Sequence, residues 1–413
     1  MTTSHAEHPA PTAPNRSLSD VLAADGRALM ATYPRMPVVL VRGSGTRVWD
    51  ERGTEYLDFT AGLCVNVLGH CAPAVRAALE DQAGQLIHVS NAFHSLPQLD
   101  LAELLVSSSC FDRVFFVNSG AEANECAFKL ARKWGKQRRG GAFEIITADS
   151  SFHGRTLAAV AASGHVSRDG FEPLPQGFPQ VPYGDLEALA AAIGPRTAAV
   201  MLEPVLGARG VYPAERAYLE GVRRLCDERG VLLVFDEVQS GMGRTGTLWA
   251  YQGYGVEPDI MTIAKGLGGG IPIGACLARS KAAVFQWLDH GSTFGGNPLA
   301  CRVAHRVLRE VIDQELPARA ARLGGRLRAA LEQLRARPGS GIKEIRSTGL
   351  WFGIDLVEQK AVLLANALRT RGVLVNLTES FACIRISPPL TVAEDECDRF
   401  VTALGEAMQE LAA

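Results

Sequence analysis

Two residues that could do chemistry stand where runs of apolar residues stop. Lys265 follows Ile260-Met261-Thr262-Ile263-Ala264 and precedes Gly266-Leu267-Gly268-Gly269-Gly270, and Asp236 follows Val231-Leu232-Leu233-Val234-Phe235. An amine withdrawn from water has a lowered pKa and is nucleophilic enough to form an imine with an aldehyde. A carboxylate at the end of a buried strand needs a partner, because an isolated buried charge is very costly. A pyridinium nitrogen suits it, and an acid beside that nitrogen keeps it protonated, so that the ring draws off the electrons of a carbanion. The pair therefore points to pyridoxal phosphate. Plainer readings exist for each: a lysine stem lying on apolar surface with its head in water, and an aspartate capping a helix.

Three more polar clusters follow apolar runs. Asn118-Ser119-Gly120 comes after Val114 to Val117, Asp149 and then Phe152-His153-Gly154-Arg155 after Ile145-Ile146, and Glu203 after Ala198 to Leu202. Ligands of open parallel sheets bind beyond the carboxyl ends of the strands, so these ends predict one shared pocket. Ser119-Gly120-Ala121-Glu122 opens an amphipathic helix over 121–134, whose free N–H groups and dipole favour a phosphate. The same S-x-x-E spacing is a capping box that needs no ligand. Taken alone, Phe152-His153-Gly154-Arg155 reads better as a turn with a buried phenylalanine and a solvated arginine, but in a pocket Phe152 can stack on a ring and Arg155 can hold a carboxylate through paired hydrogen bonds. Arg385, in Cys383-Ile384-Arg385-Ile386-Ser387, is a second carboxylate holder or an edge-strand arginine facing water. Gly241-Met242-Gly243-Arg244-Thr245-Gly246 matches the dinucleotide pattern G-x-G-x-x-G but is separated from Asp236 by only four residues and lacks the acid about twenty positions on, so a glycine loop is the better reading.

The elements that must position these groups are legible too. Continuous rather than alternating apolarity marks strands buried on both faces, which gives an α/β core with a mostly parallel sheet. From about Cys301 the pattern changes to long helices, as over 318–335, with strand-like pieces around 350–354 and 383–387. This is read as a smaller α+β domain, beside which strand-like pieces over 38–42 and 54–59 pack. The expected division is a disordered tail over 1–20, an N-terminal segment over 21–75, a large cofactor-binding domain over 76–300 and a small domain over 301–413. A hydrophobic fraction of 47% in 413 residues excludes a disordered or fibrous chain. The 42 basic and 44 acidic residues are well mixed, so no nucleic-acid or membrane-surface partner is expected. Nine cysteines without a C-x-x-C pair argue against a disulfide framework and against a metal site. No apolar run reaches the length of a membrane span and the N-terminus lacks a signal core, so a cytoplasmic location is expected.

Taken together, Asn118-Ser119-Gly120-Ala121-Glu122-Ala123-Asn124, Phe152-His153-Gly154-Arg155-Thr156, the 236–246 segment, Ala264-Lys265-Gly266-Leu267-Gly268 and Ser292-Thr293-Phe294-Gly295-Gly296-Asn297-Pro298 resemble the class III aminotransferases, acetylornithine/ornithine branch. The resemblance runs from about Tyr33 to the end. It implies the fold type I of pyridoxal phosphate enzymes and a homodimer with the active site at the subunit interface. It implies that Lys265 bonds the cofactor aldehyde and shuttles the proton while Asp236 pairs with the ring nitrogen. Ser119, Gly120 and Ala121 would hold the phosphate, with Thr293 reaching over from the neighbouring subunit. Phe152 and Val238 would enclose the ring, Gln239 would bond its phenolic oxygen, Glu203 would support the site, and Arg155 and Arg385 would hold carboxylates. The implied reaction moves the terminal amine of a donor such as N-acetylornithine or ornithine to a 2-oxo acid, 2-oxoglutarate. One departure stands out: where the family reads Glu-Pro-x-Gln-Gly-Glu, this chain has Glu203-Pro204-Val205-Leu206-Gly207-Ala208. Losing the second acid removes the expected partner of Arg385 and favours a different terminal amine, one belonging to a specialised pathway. Aminomutase or decarboxylase chemistry on the same scaffold, and more distantly a nicotinamide dehydrogenase, are the alternatives.

Overall fold

The computed structural model describes residues 16–378 and 382–412. Its centre is a seven-stranded sheet in the order Arg113–Val117, Gly274–Ala278, Ile260–Ile263, Leu232–Asp236, Thr197–Leu202, Glu144–Ala148, Gln180–Val181. All neighbours pair in parallel except Gly274–Ala278, which runs antiparallel to both of its partners. That strand escaped the sequence reading because Gly-Ala-Cys-Leu-Ala is short, small and behind a glycine-rich stretch, with none of the β-branched residues that mark a strand.

The continuous apolar runs are explained by burial on both faces. Ile145, Ala199, Met201, Leu232, Val234 and Ile260 pack on one side with Cys126, Ala127 and Leu130 of the long helix Gly120–Arg138. Their neighbours Ile146, Val200, Leu202, Leu233, Phe235 and Met261 pack on the other, where helix Arg216–Arg229 contributes Leu219, Val222 and Cys226. With side chains alternating along each strand, two apolar layers require apolar residues at every position.

Two smaller sheets flank this core. Leu40–Ser44, Arg47–Asp50 and Glu55–Asp58 form one with Val373–Leu374, which pairs in parallel with Glu55–Asp58. Ile342–Thr348, Trp351–Leu356, Cys383–Ile386 and Asn376–Leu377 form the other. The N-terminal segment is thus tied to the C-terminal part by a shared sheet, by stacking of Phe59 on Phe400 at 4.6 Å, and by Ser387 N–H donating to the Phe59 carbonyl at 2.7 Å. Helix Leu18–Ala28 begins inside the segment read as a tail: Ser17 caps it, its hydroxyl accepting from Asp20 N at 3.2 Å while Asp20 returns the bond to Ser17 N. A tail over 16–20 is therefore corrected to a capping box and a first helical turn; residues 1–15 lie outside the described residues. Among the described residues no helix is long and apolar enough to cross a membrane, and all nine cysteines are free.

Candidate active site

Four of the parallel strands and the turn after Arg113–Val117 deliver their polar ends to one cavity of about 450 Å³, within the range of small-molecule sites. Ser119, Gly120, Ala121, Phe152, Arg155, Glu203, Asp236, Val238, Gln239 and Lys265 all line it. Arg385 and Thr293, the other two expected site residues, stand outside that lining. A larger cleft of about 930 Å³ holds Arg223, Arg279, Lys281 and Asp259, but its charges satisfy one another, with Arg223 at 3.1 Å and Lys281 at 2.6 Å from Asp259.

Lys265 opens a 3-10 turn over Lys265–Gly268 directly after the Ile260–Ile263 strand and Ala264. Its φ of +42° is one a side-chain-bearing residue rarely adopts, and such strain is kept where the surroundings over-determine it. Gly266 is required behind it, because a Cβ there would lie 2.8 Å from Val67. Burial lowers the Lys265 pKa, which the nearby Cys64, Asp236 and Glu203 only partly oppose. The lysine head does not stand in open water, and burial makes its amine less basic than a free lysine's.

Asp236 ends its strand fully enclosed. Its Oδ2 accepts from Asn124 Nδ2 at 2.8 Å and from His153 Nδ1 at 2.7 Å, and its Oδ1 accepts from Val238 N at 3.0 Å. His153 Nε2 is buried with no hydrogen-bond partner. Asp236 thus takes hydrogen bonds from Asn124, His153 and Val238, while a carboxylate has about four acceptor positions. The aspartate does not cap a helix; it lines the cavity.

Ser119 ends the loop after Arg113–Val117 and caps helix Gly120–Arg138, its hydroxyl accepting from Glu122 N at 3.2 Å. Glu122 reaches back to Asn118 N at 2.5 Å rather than to Ser119 N, so the capping box is displaced by one residue. The first-turn N–H groups of Gly120 and Ala121 have no acceptor within the helix, and they open on the cavity. Gly120 must be glycine, since a Cβ would meet Val238 at 2.6 Å. An amine poised for an aldehyde, a carboxylate awaiting a ring cation and free N–H groups for a phosphate fit pyridoxal phosphate.

Glu203 accepts from Phe152 N at 2.8 Å and lies under the cavity. Burial, and then repulsion from Asp236, push its pKa up to about 7. On the outer side, the Arg155 guanidinium stands 5.6 Å from the Phe152 ring centroid. Arg385 donates from Nη1 to the Gly207 carbonyl at 2.9 Å, so it is a half-buried strand residue turned toward the 203–208 segment and not an edge arginine in water. Gly207 is pressed between Gln239 and Trp351, where a Cβ would come within 2.2 Å and 2.5 Å of them. Leu206 is buried and Ala208 half-buried at the positions where the family's amide and acid were expected. Thr293 is exposed. The Gly241–Gly246 loop is internal: Arg244 is fully buried and donates to the carbonyls of Leu350 at 2.9 Å and Pro388 at 2.7 Å. No dinucleotide phosphate can approach it there. Among the described residues no cluster of His, Cys, Asp and Glu could hold a metal ion.

Sequence reasoning gave no role to Asn124, His153 and Thr262. Asn124 and His153 stand within the quoted motifs, but nothing in a linear sequence shows that they meet an aspartate 112 and 83 positions away.

Comparison with known proteins agrees with this geometry. The sequence profile of the family "Aminotransferase class-III" matches residues 29–408. The acetylornithine aminotransferase of Methanothermobacter thermautotrophicus is 46% identical over 398 residues, covering 95% of this chain and 99% of that protein. Among solved structures, the ornithine aminotransferase of Toxoplasma gondii, with PLP partly occupying its active site, superposes with a TM-score of 0.91 at 34% identity over 97% of both chains. The acetylornithine aminotransferase of Elizabethkingia anophelis gives a TM-score of 0.86 at 33% identity over 96% of this chain and 100% of that one. The chain belongs to the class III aminotransferases, fold type I, and is a pyridoxal phosphate-dependent enzyme that transfers an amino group from an amine donor to a 2-oxo acid.

Proposed function

We propose that this enzyme transfers the terminal amino group of N-acetylornithine, or of ornithine, to 2-oxoglutarate. The observation that carries the reading is the joining of Lys265, Asp236 and Arg155 in one cavity, with Arg385 outside its lining on the Gly207 carbonyl, together with relatives of that name covering nearly the whole chain. When bound, pyridoxal phosphate supplies a carbonyl for the amine and a ring that accepts the electrons freed at the substrate carbon. Lys265 Nζ would bond the cofactor and carry the proton taken from the amine-bearing carbon of the donor. Burial suits it to both tasks, because it lowers the amine's pKa and so makes its proton easier to give up. Asp236 would hold the ring nitrogen protonated, Gly120 and Ala121 would bind the phosphate through N–H groups with the Ser119 hydroxyl, and Phe152 and Val238 would close the two faces. Gln239 donates to the phenolic oxygen, Glu203 fixes the Phe152 backbone, and Arg155 and Arg385 hold carboxylates of donor and acceptor.

The homodimer, with Thr293 reaching the partner's phosphate, belongs to the same proposal: Thr293 is exposed and outside its own chain's cavity. So do a cytoplasmic location, the absence of nucleic-acid partners, and the division into segments at about 75 and 300. A second reading, a different terminal amine as donor, rests on Leu206 and Ala208, which leave the segment facing Arg385 without a carboxylate at either position. The test is the visible absorbance of the purified holoenzyme with each donor and no acceptor. Bleaching by N-acetylornithine at lower concentration than by ornithine, putrescine or 4-aminobutyrate supports the first reading. A band untouched by N-acetylornithine and bleached by another amine supports the second.

A further inference from the structure

Asp236 is held from behind by a chain of two side chains, Asn124 and Thr262, that continues beyond the residues already assigned to the site. Asn124 Nδ2 donates both to Asp236 Oδ2 at 2.8 Å and to the His153 carbonyl at 2.7 Å. Its other end, Oδ1, accepts from the Thr262 hydroxyl at 2.7 Å. Thr262 sits in the Ile260–Ile263 strand, three residues before Lys265, and is 0% exposed, as Asn124 is 1% exposed. The amide can be placed only one way: turned over, its oxygen would face the carboxylate and the His153 carbonyl, two acceptors against a third, at a side chain only 1% exposed. The Thr262 hydroxyl completes that choice by satisfying the amide oxygen, so a single proton donor on one strand sets the orientation of the acid at the end of the next.

We infer that Thr262 is a positioning residue for the reaction, acting through Asn124 to aim the Asp236 carboxylate at the ring nitrogen of the cofactor. This deepens, and rests on, the pairing of Asp236 with that nitrogen. Two strands share the task for a physical reason. Asp236 and Lys265 close adjacent parallel strands, and Thr262 is the Cα neighbour of Asp236 in their register. Any slip of one strand against the other would misalign the acid and the amine together, and the Thr262–Asn124–Asp236 bridge crosses the seam between them. Without the hydroxyl the amide oxygen is buried unsatisfied, and the amide is free to rotate away from the carboxylate.

The experiment uses the full-length holoenzyme and three variants: Thr262→Val, which keeps the shape and removes the hydroxyl, Thr262→Ser, which keeps the hydroxyl, and Asp236→Asn. Expected for Thr262→Val are about a tenfold rise in the cofactor dissociation constant, measured by fluorescence on the apoprotein, and about a tenfold fall in kcat, with KM for both substrates within about twofold. The pH midpoint of the visible band moves as well, and Thr262→Ser recovers most of each change. A residue that merely fills space would lower the melting temperature and leave the dissociation constant, the band and kcat alone. That pattern, or Thr262→Ser as impaired as Thr262→Val, overturns the proposal. If Asp236→Asn is damaging while Thr262→Val is not, only the bridge fails; if Asp236→Asn is itself harmless, the pairing of Asp236 with the ring fails and takes the bridge with it.

Discussion

The two sides of the cavity are built differently. The inner side is the end of one continuous sheet: Asp236 takes three hydrogen bonds from Asn124, His153 and Val238, Lys265 is fixed in a strained turn, and Gly120 is pressed on Val238. The outer side is assembled from separate elements. Arg385 comes from the small sheet and rests on a backbone carbonyl of the 203–208 segment, while Arg155 is exposed in a loop. The inner side reads chemistry that every member of the family performs, so its geometry is over-determined. The outer side reads the substrate, and fold and cofactor do not dictate which one.

Breaking the inner side should do the most damage. Lys265→Ala is expected to lower kcat by about a thousandfold or more, the loss of a positioned general base and of the covalent anchor together; steady-state rates with either donor check it, and a variant retaining a tenth of the activity would sink the role. Breaking the outer side should act on binding instead. Arg385→Ala removes charge-assisted hydrogen bonds worth about 1.5–3 kcal/mol each, so KM for the carboxylate-bearing substrate rises about 10- to 100-fold with a smaller change in kcat. Equal losses in kcat and kcat/KM would place Arg385 with the inner side.

A subtler effect is pH dependence of the apoprotein. Glu203 and Glu237 are both pushed up to about 7, chiefly by burial. Each binds its proton more tightly folded than unfolded, so the stability it contributes is complete below the ordinary carboxyl range and is lost as pH rises through about 7. Melting temperature should therefore fall between about pH 5 and pH 8, and Glu203→Gln should flatten the slope. Because repulsion from Asp236 is the second cause of the Glu203 shift, a cation at Asp236 should weaken it, and the holoenzyme should show a shallower slope than the apoprotein. Smallest of all, Ser119→Ala should cost about 1 kcal/mol through loss of the helix cap, read by urea denaturation of the apoprotein, with an additional loss of cofactor affinity if the hydroxyl also meets the phosphate.

The same contrast governs what the sequence disclosed. Five apolar runs ending in polar residues located the large sheet and the cavity, because a strand buried on both faces leaves an unmistakable pattern and its carboxyl end marks the ligand side. The strand Gly274–Ala278 went unseen because its small residues carry no such mark. Asn124 and Thr262 also passed without a role, since a hydrogen bond across 138 positions of chain has no local signal. The Ser17 cap lay in a stretch whose composition resembled a loose tail, and only the return bond from Asp20 identifies it as the start of a helix.

The central claim is that Lys265 is the amine that bonds the cofactor. Borohydride reduction of the holoenzyme fixes any carbon–nitrogen double bond between cofactor and protein, and peptide mapping by mass spectrometry then locates it. The account predicts a single pyridoxyl-bearing peptide, modified at Lys265 and absent from Lys265→Ala. A modification at another lysine, or none in a protein saturated with pyridoxal phosphate, would contradict it.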